Sequence, residues 1–427
     1  VSSETIDSPY PSSAVHAVQR RTLFLLFATQ IIGGVGIAIG VSVGALLAAE
    51  LAGTSLSGLA QSAVVVGSAI LALPATAIVH RRGRRPSLAT AYLTAASGAV
   101  IVVAAVLNNS IALLFLGFFL FGAGSTASLQ ARYAAVDLAP PSLRGRQLST
   151  IVWATTIGAV AGPNLAAVAG ASLASRGIPT LAGPFVFSAM LFGLAALLLL
   201  LLMRPDPAVL AGETLRAANS GNAPKRVGLW EARRIVAANA SARLGVIGMA
   251  VGHTVMVAVM AMTPIHIRGA GHDAAHTLRI VGVVLSVHVA GMYAFSPIVG
   301  WLTDRLGRRP VILMGVVFLL AACALAATAG HNDTRLAIAL MLLGLGWSCT
   351  MVGGSTLLTE SVPAELRASA QGLSDFIMGV AGATAGALSG VIVAAWSFPA
   401  LAFIAGGIAV LSLSALALTS DLKPVTS

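Results

Sequence analysis

The chain has 427 residues, of which 57% are hydrophobic and only 9% charged, with a formal net charge of +11. Soluble domains carry roughly 25% charged residues, so an ordinary water-soluble globule is excluded and a chain that crosses a membrane many times is indicated. Lysine occurs only at 225 and 423; the other basic residues are arginines. That bias, with abundant Ala, Val and Gly, points to a GC-rich bacterial source.

In chain order, residues 1–22 are polar and begin rich in Ser and Pro. They lack the basic start, short apolar core and cleavage site of a signal peptide, and read as a disordered cytoplasmic tail. Apolar runs follow at about 23–49, 56–79, 87–107, 111–134, 147–173 and 183–203. Each is long enough to cross a hydrocarbon core of about 30 Å as a helix with some tilt. Residues 23–203 therefore form a first set of six helices. Residues 204–240 turn polar, with Pro205, Pro207, Gly221 and Pro224 breaking any long helix, and read as a cytoplasmic linker. Within it, the stretch from Leu229 to Val236 has the pattern of a short amphipathic surface helix, with Trp230 at headgroup depth. Further runs at about 243–267, 277–300, 310–329, 336–358, 369–395 and 399–420 make residues 241–420 a second six-helix half. Residues 421–427 are a cytoplasmic tail. The expected fold is an all-α polytopic membrane protein with 12 transmembrane helices in two halves.

Alternating the loops between the two sides gathers most arginines on one, among them Arg20, Arg21, Arg81, Arg84, Arg144, Arg233, Arg305, Arg308 and Arg367. Only Arg176, Arg268, Arg279 and Arg335 fall on the other. This positive-inside pattern places both termini in the cytoplasm and accounts for the basic excess without nucleic acid. Cys323 and Cys349 lie in neighbouring runs of opposite direction, at different depths, which argues against a disulfide between them.

The loop from Gly300 to Pro310 contains Asp304 to open a turn, Gly307 to allow positive φ, and Arg305, Arg308 and Arg309 to face an anionic surface. It resembles the signature loop of the major facilitator superfamily, Gly-x-x-x-Asp-Arg-x-Gly-Arg-Arg, at every position. A worn copy occurs in the first half, where Thr76, His80, Arg81, Gly83, Arg84 and Arg85 stand in register with it. A second pair, Asp137 to Arg144 against Glu360 to Arg367, repeats at nearly the same offset. Two repeated halves are the duplication this superfamily has. The resemblance implies a cytoplasmic charge cluster of Asp304, Arg308 and Glu360 near Arg367, and a weaker one of Arg84, Asp137 and Arg144 in the first half.

The fifth run carries Gly158, Gly162, Pro163 and Asn164. Small residues four apart let membrane helices approach, and the proline removes a backbone donor and kinks the helix. The pattern resembles the antiporter motif of the superfamily, Gly-x-x-x-Gly-Pro, and implies export. Other family features are missing: the position of the usual helix 4 arginine is Phe118, and Gln30 is the deepest polar residue of helix 1, where an acid is usual. Ionisable groups inside a bilayer are costly and usually functional. His288 and His253 near mid-depth and Asp375 in the eleventh run are therefore the candidates for carrying a coupling proton, His288 first because Ser286 and Tyr293 nearby in the sequence offer it polar partners.

Gln30, Gln61, Asn164, Met256, Met260, Tyr293, Trp347 and Thr350 are candidate walls of a substrate cavity. Sparse polar groups among methionines and aromatics suit an amphipathic ligand better than a sugar. No phosphate-binding loop, zinc-protease or hydrolase motif is present, so neither an enzyme, a metal site, nor a cofactor is expected. The reading is a monomeric, proton-coupled exporter of a small amphipathic molecule in the bacterial inner membrane. An uptake symporter or facilitator on the same fold, and a non-transporting sensor, are the alternatives.

Overall fold

The computed structural model describes residues 12–139, 143–211, 229–363 and 366–418. The readings for 1–11, for 212–228 of the linker and for the tail 421–427 lie outside these, as do the side chains of His80, Arg144 and Trp230.

The apolar runs are helices. The first half comprises α1 (Ser12–Ala52), α2 (Thr54–Arg82), α3 (Arg84–Leu107), α4 (Ile111–Phe121), α5 (Ala123–Ala134), α6 (Arg144–Ala174) and α7 (Gly183–Leu202). After the linker helix α8 (Leu229–Ala238) come α9 (Ala240–Arg268), α10 (Ala274–Tyr293), α11 (Ser296–Leu306), α12 (Arg308–Ala327), α13 (Asp333–Glu360), α14 (Arg367–Ala395) and α15 (Phe398–Leu418). Among the described residues, eleven segments are long and apolar enough to cross a membrane, α4 with α5 and α10 with α11 each counting as one, and α15 adds a shorter apolar stretch, Phe398–Val410. The chain is thus an all-α polytopic membrane protein.

Polar side chains set several starts. Ser110, Asn239, Asp273 and Asn332 each accept a bond from the backbone N–H three residues on, satisfying one orphan donor of the first turn. The eighth span, expected as one rod over 277–300, breaks after Tyr293 and restarts at Ser296, with Pro297 in its first turn. It then runs to Leu306. Residues 12–22, read as disordered tail, are instead the first turns of α1. Gln19 holds them, donating to the Ala135 carbonyl (2.7 Å) and to Gln147 Oε1 (2.6 Å), and Thr22 is buried.

By packing, the chain falls into two compact units whose limits differ from those read along the sequence. The first takes α1 as far as Gly40, Val66–Gly162, and residues from Ser172 to the linker. Its core is aromatic: Phe121 meets Phe185 and Phe192 with ring centres 5.8 and 5.2 Å apart, and Tyr92 donates to the Thr29 carbonyl (3.2 Å). Phe118, in the place of the usual arginine, is part of this cluster, 5.8 Å from Phe185.

The second unit holds α8–α15 together with Val41–Val65 and Pro163–Ala171. The ends of α1, α2 and α6 join it because small and polar residues let backbones meet. Ser62 donates to the Ala383 carbonyl (2.6 Å), a Cβ on Gly390 would come 2.8 Å from the Gly58 nitrogen, and Arg268 pairs with Glu50 (3.2 Å). Cys323 and Cys349 are both buried and free.

Candidate functional site

The two signature loops share one backbone. Gly83 and Gly307 adopt φ of 95° and 92°, a region that side chains rarely enter, and each is followed at once by the arginine that opens the next helix. In the second loop, Arg308 makes a two-pronged pair with Glu360 (2.6 and 2.9 Å) and lies 3.7 Å from Asp304. The carboxylates stand well out, Glu360 at 50% and Asp304 at 80% exposure. Arg305 lies over the Trp301 ring at 5.2 Å, and Arg309 donates to Ser241 (3.3 Å). Arg367 opens α14 and is exposed. Gly300 faces open space, and nothing in the structure explains a glycine there.

The first loop was expected to hold the weaker cluster. Instead Arg84 is more shielded: it clasps Asp137 by two bonds (2.8 and 3.1 Å) at 13% and 15% side-chain exposure, and donates to Gln130 (2.8 Å). Gln130 in turn donates to Thr76, the residue in register with Gly300. Arg81 is exposed. Sequence reasoning missed Asp206, just beyond α7. Its carboxylate accepts the backbone N–H groups of Arg84 (3.1 Å) and Arg85 (2.7 Å), the free donors at the start of α3. An acid thus reaches this loop from elsewhere, where His80 replaces the loop's own. Only the short Pro-Asp-Pro sequence, which favours a turn, signalled it.

The α6 motif seats against α1. A Cβ on Gly158 would lie 2.7 Å from the Val35 nitrogen, and one on Gly162 would lie 2.5 Å from the Ala38 Cβ, so neither position admits a side chain without movement. Beyond Pro163, Asn164 donates to Ser286 on α10 (2.6 Å) within the second unit.

The two spanning histidines differ in setting. His288 is fully buried, its Nδ1 donating to the Leu340 carbonyl (2.8 Å) while Nε2 has no partner among the described residues. Ser286, expected beside it, is engaged with Asn164. His253 is half-buried and accepts the Trp347 indole N–H on Nδ1 (3.3 Å). Tyr293 meets Trp347 edge to face, centres 5.7 Å apart. These three residues from α9, α10 and α13 form one aromatic wall. Gly382 of α14 lies against the other side of the imidazole, where a Cβ would be 2.8 Å from Nε2. Asp375, exposed, is seven residues earlier on α14, two turns nearer the signature-loop end on the same face.

Other cavity candidates disperse. Gln30 is buried in the first unit, donating to Ser128 (2.5 Å) and Thr155 (2.8 Å), with its own oxygen unpartnered among the described residues. Gln61 is half-buried on α2. Met256 belongs to the apolar core, Met260 packs at its margin, and the buried Thr350 spends its hydroxyl on carbonyls of its own helix.

The description of the Major Facilitator Superfamily matches residues 22–280 and 272–426. The uncharacterized MFS-type transporter YdeG of Bacillus subtilis (strain 168) is 41% identical over 94% of this chain and 91% of its own. The riboflavin transporter RfnT of Brucella anthropi is 29% identical over 84% and 85%. Among solved structures, a bacterial homolog of the human lysosomal transporter Spinster superposes with a TM-score of 0.68 over 96% of this chain and 99% of that one, at 15% identity. Two repeats of one charged loop, spanning helices throughout and matches along nearly the whole length agree: the chain belongs to the Major Facilitator Superfamily.

Proposed function

We propose that this transporter exports a small amphipathic molecule in exchange for protons, by alternating access. The observation that carries the direction is the α6 motif. Gly158 and Gly162 bring α6 against the α1 backbone, and Pro163 follows where the family's antiporters carry it. A dry, close interface of this kind limits leak of the driving ion past the substrate.

His253 is the best-placed coupling group. It is half-buried and faces an aromatic wall, whereas the His288 ring is enclosed and tied to a backbone carbonyl. Asp375, two turns towards the second signature loop, is the relay to that end. A buried histidine exchanges its proton only if water or a relay reaches it. A cavity in the second unit lined by Thr254, Ala258, Ala381, Ala385, Leu388 and Leu401, mostly apolar, suits an amphipathic substrate. The chain would act as a monomer in a bacterial inner membrane, with the basic loops and both termini cytoplasmic.

Uptake is the second reading, favoured by the riboflavin transporter among the relatives. Inside-out and right-side-out vesicles, given a panel of dyes and metabolites from outside under an imposed pH gradient, separate the two. Export predicts accumulation in inside-out vesicles with an acidic lumen. Accumulation only in right-side-out vesicles would overturn it.

A further inference from the structure

The contact between Trp347 and His253 restricts the protonation state of the ring. An indole N–H only donates, so the Nδ1 that receives it must hold a free lone pair, and the imidazole proton sits on Nε2. A proton arriving on Nδ1 takes that lone pair. Two donors then face each other, and the indole must leave.

We infer that Trp347 is the element that converts protonation of His253 into loss of substrate. With His253 neutral, the indole is pinned by its N–H and flanked by the Tyr293 ring, which leaves a flat aromatic face for a planar, apolar-faced substrate. With His253 protonated on Nδ1, the pin is gone, the face turns, and the substrate loses its platform. Proton and substrate therefore exclude one another, which is the condition for exchange, and by linkage each weakens the other by the same factor. The proton balance is one for one: Nδ1 gains a proton, the N–H to Nδ1 bond breaks, and no other bond changes.

The other titratable side chains on the helices around α9 do not substitute for this switch. Away from the ends of the spans they are His288 and Tyr293 on α10, Cys323 on α12, Cys349 on α13 and Asp375 on α14, while His276 and Arg279 lie in the first two turns of α10; the described part of α15 has none. His288 points at Leu340, both thiols are buried, and Tyr293 flanks the indole itself.

This inference rests on the proton-coupled reading but is tested apart from transport. A variant that keeps Trp347 while Trp153, Trp230, Trp301 and Trp396 are replaced by Phe, purified in detergent, is titrated by tryptophan fluorescence. A single emission step following one protonation is expected, and His253→Gln should remove it while His288→Gln leaves it. In proteoliposomes, Trp347→Phe keeps the ring but not the N–H. The pH at which transport is half-maximal should move by about half to one unit, the shift expected from losing one neutral hydrogen bond. A fluorescence step that survives His253→Gln, or its absence in the starting variant, overturns the switch. If the step behaves as expected but transport shows no response to a pH gradient, the coupling reading fails and the switch stands.

Discussion

The two charge clusters, similar in sequence, should differ sharply in energy, and Asp137→Asn against Glu360→Gln measures the difference. Arg84 and Asp137 make two direct bonds at 13% and 15% side-chain exposure, so water does little to screen them. A hydrogen bond to a charged group contributes about 1.5–3 kcal/mol, and breaking a fully buried pair costs about 3–5. Asn retains one acceptor, which places Asp137→Asn at about 2–3 kcal/mol. Glu360 is half exposed, and pairs of that kind contribute about 0–1 kcal/mol. With about 2–4 °C of melting temperature per kcal/mol for units of this size, the first substitution should lower the midpoint by about 4–12 °C and the second by under about 4 °C. The assay is loss of helical circular dichroism on heating the purified protein in detergent. A double-mutant cycle with Arg84→Gln isolates the pair and should return a coupling above about 1 kcal/mol. Equal midpoints for the two carboxylate variants, or a coupling near zero, would refute the link between shielding and strength.

Three further outcomes follow from the same geometry. Gly162→Leu must force a branched side chain into the α1 backbone and should abolish transport while the protein still inserts and elutes as a single species; full activity would make the α6 motif incidental. Asp206→Ala strips the acceptor from the first turn of α3 and should cost about 1–2 kcal/mol, read as a lowered melting midpoint, whereas an unchanged midpoint would mean that water replaces the carboxylate freely. Asp304, 80% exposed and 3.7 Å from Arg308, should leave the midpoint of Asp304→Asn within about 2 °C of the parent yet slow transport more than His80→Asn does; small and equal rates for both would remove the gating role.

Much of the fold was legible because a bilayer demands long apolar runs, and those runs became helices with ends close to the expected positions. The second signature loop was legible because its offsets are backbone requirements: Gly307 has to take positive φ whatever surrounds it. What failed was anything that depends on helix rotation or on distant backbone. Ser286 is two residues from His288, yet on a helix that spacing sends the two side chains to different faces, and Ser286 meets Asn164 instead. The His288 partner is the Leu340 carbonyl, and every residue offers a carbonyl, so no side chain announced it. Asp206 is far along the chain from Arg84, and its role is a bond to backbone N–H groups that carry no residue signature. Met256 and Thr350 have the composition of cavity walls but turn into the core.

The divergence between the loops follows a physical division of labour. Both copies keep the glycine and the arginine that begins the next helix, since these fix the path of the chain. They differ in where the negative charge comes from and what it holds. In the first copy Asp206 binds backbone N–H groups and Asp137 binds a shielded guanidinium, contacts that hold the start of α3 in place. In the second, both carboxylates meet one side chain, Arg308, at a surface where water competes. A contact that must form and break in every cycle needs a small free-energy difference between its two states, and exposed pairs supply that. A contact that anchors needs the opposite. The loss of the acid at His80 is then compensated by a stronger anchor, and the loop that kept the full motif is the one suited to movement.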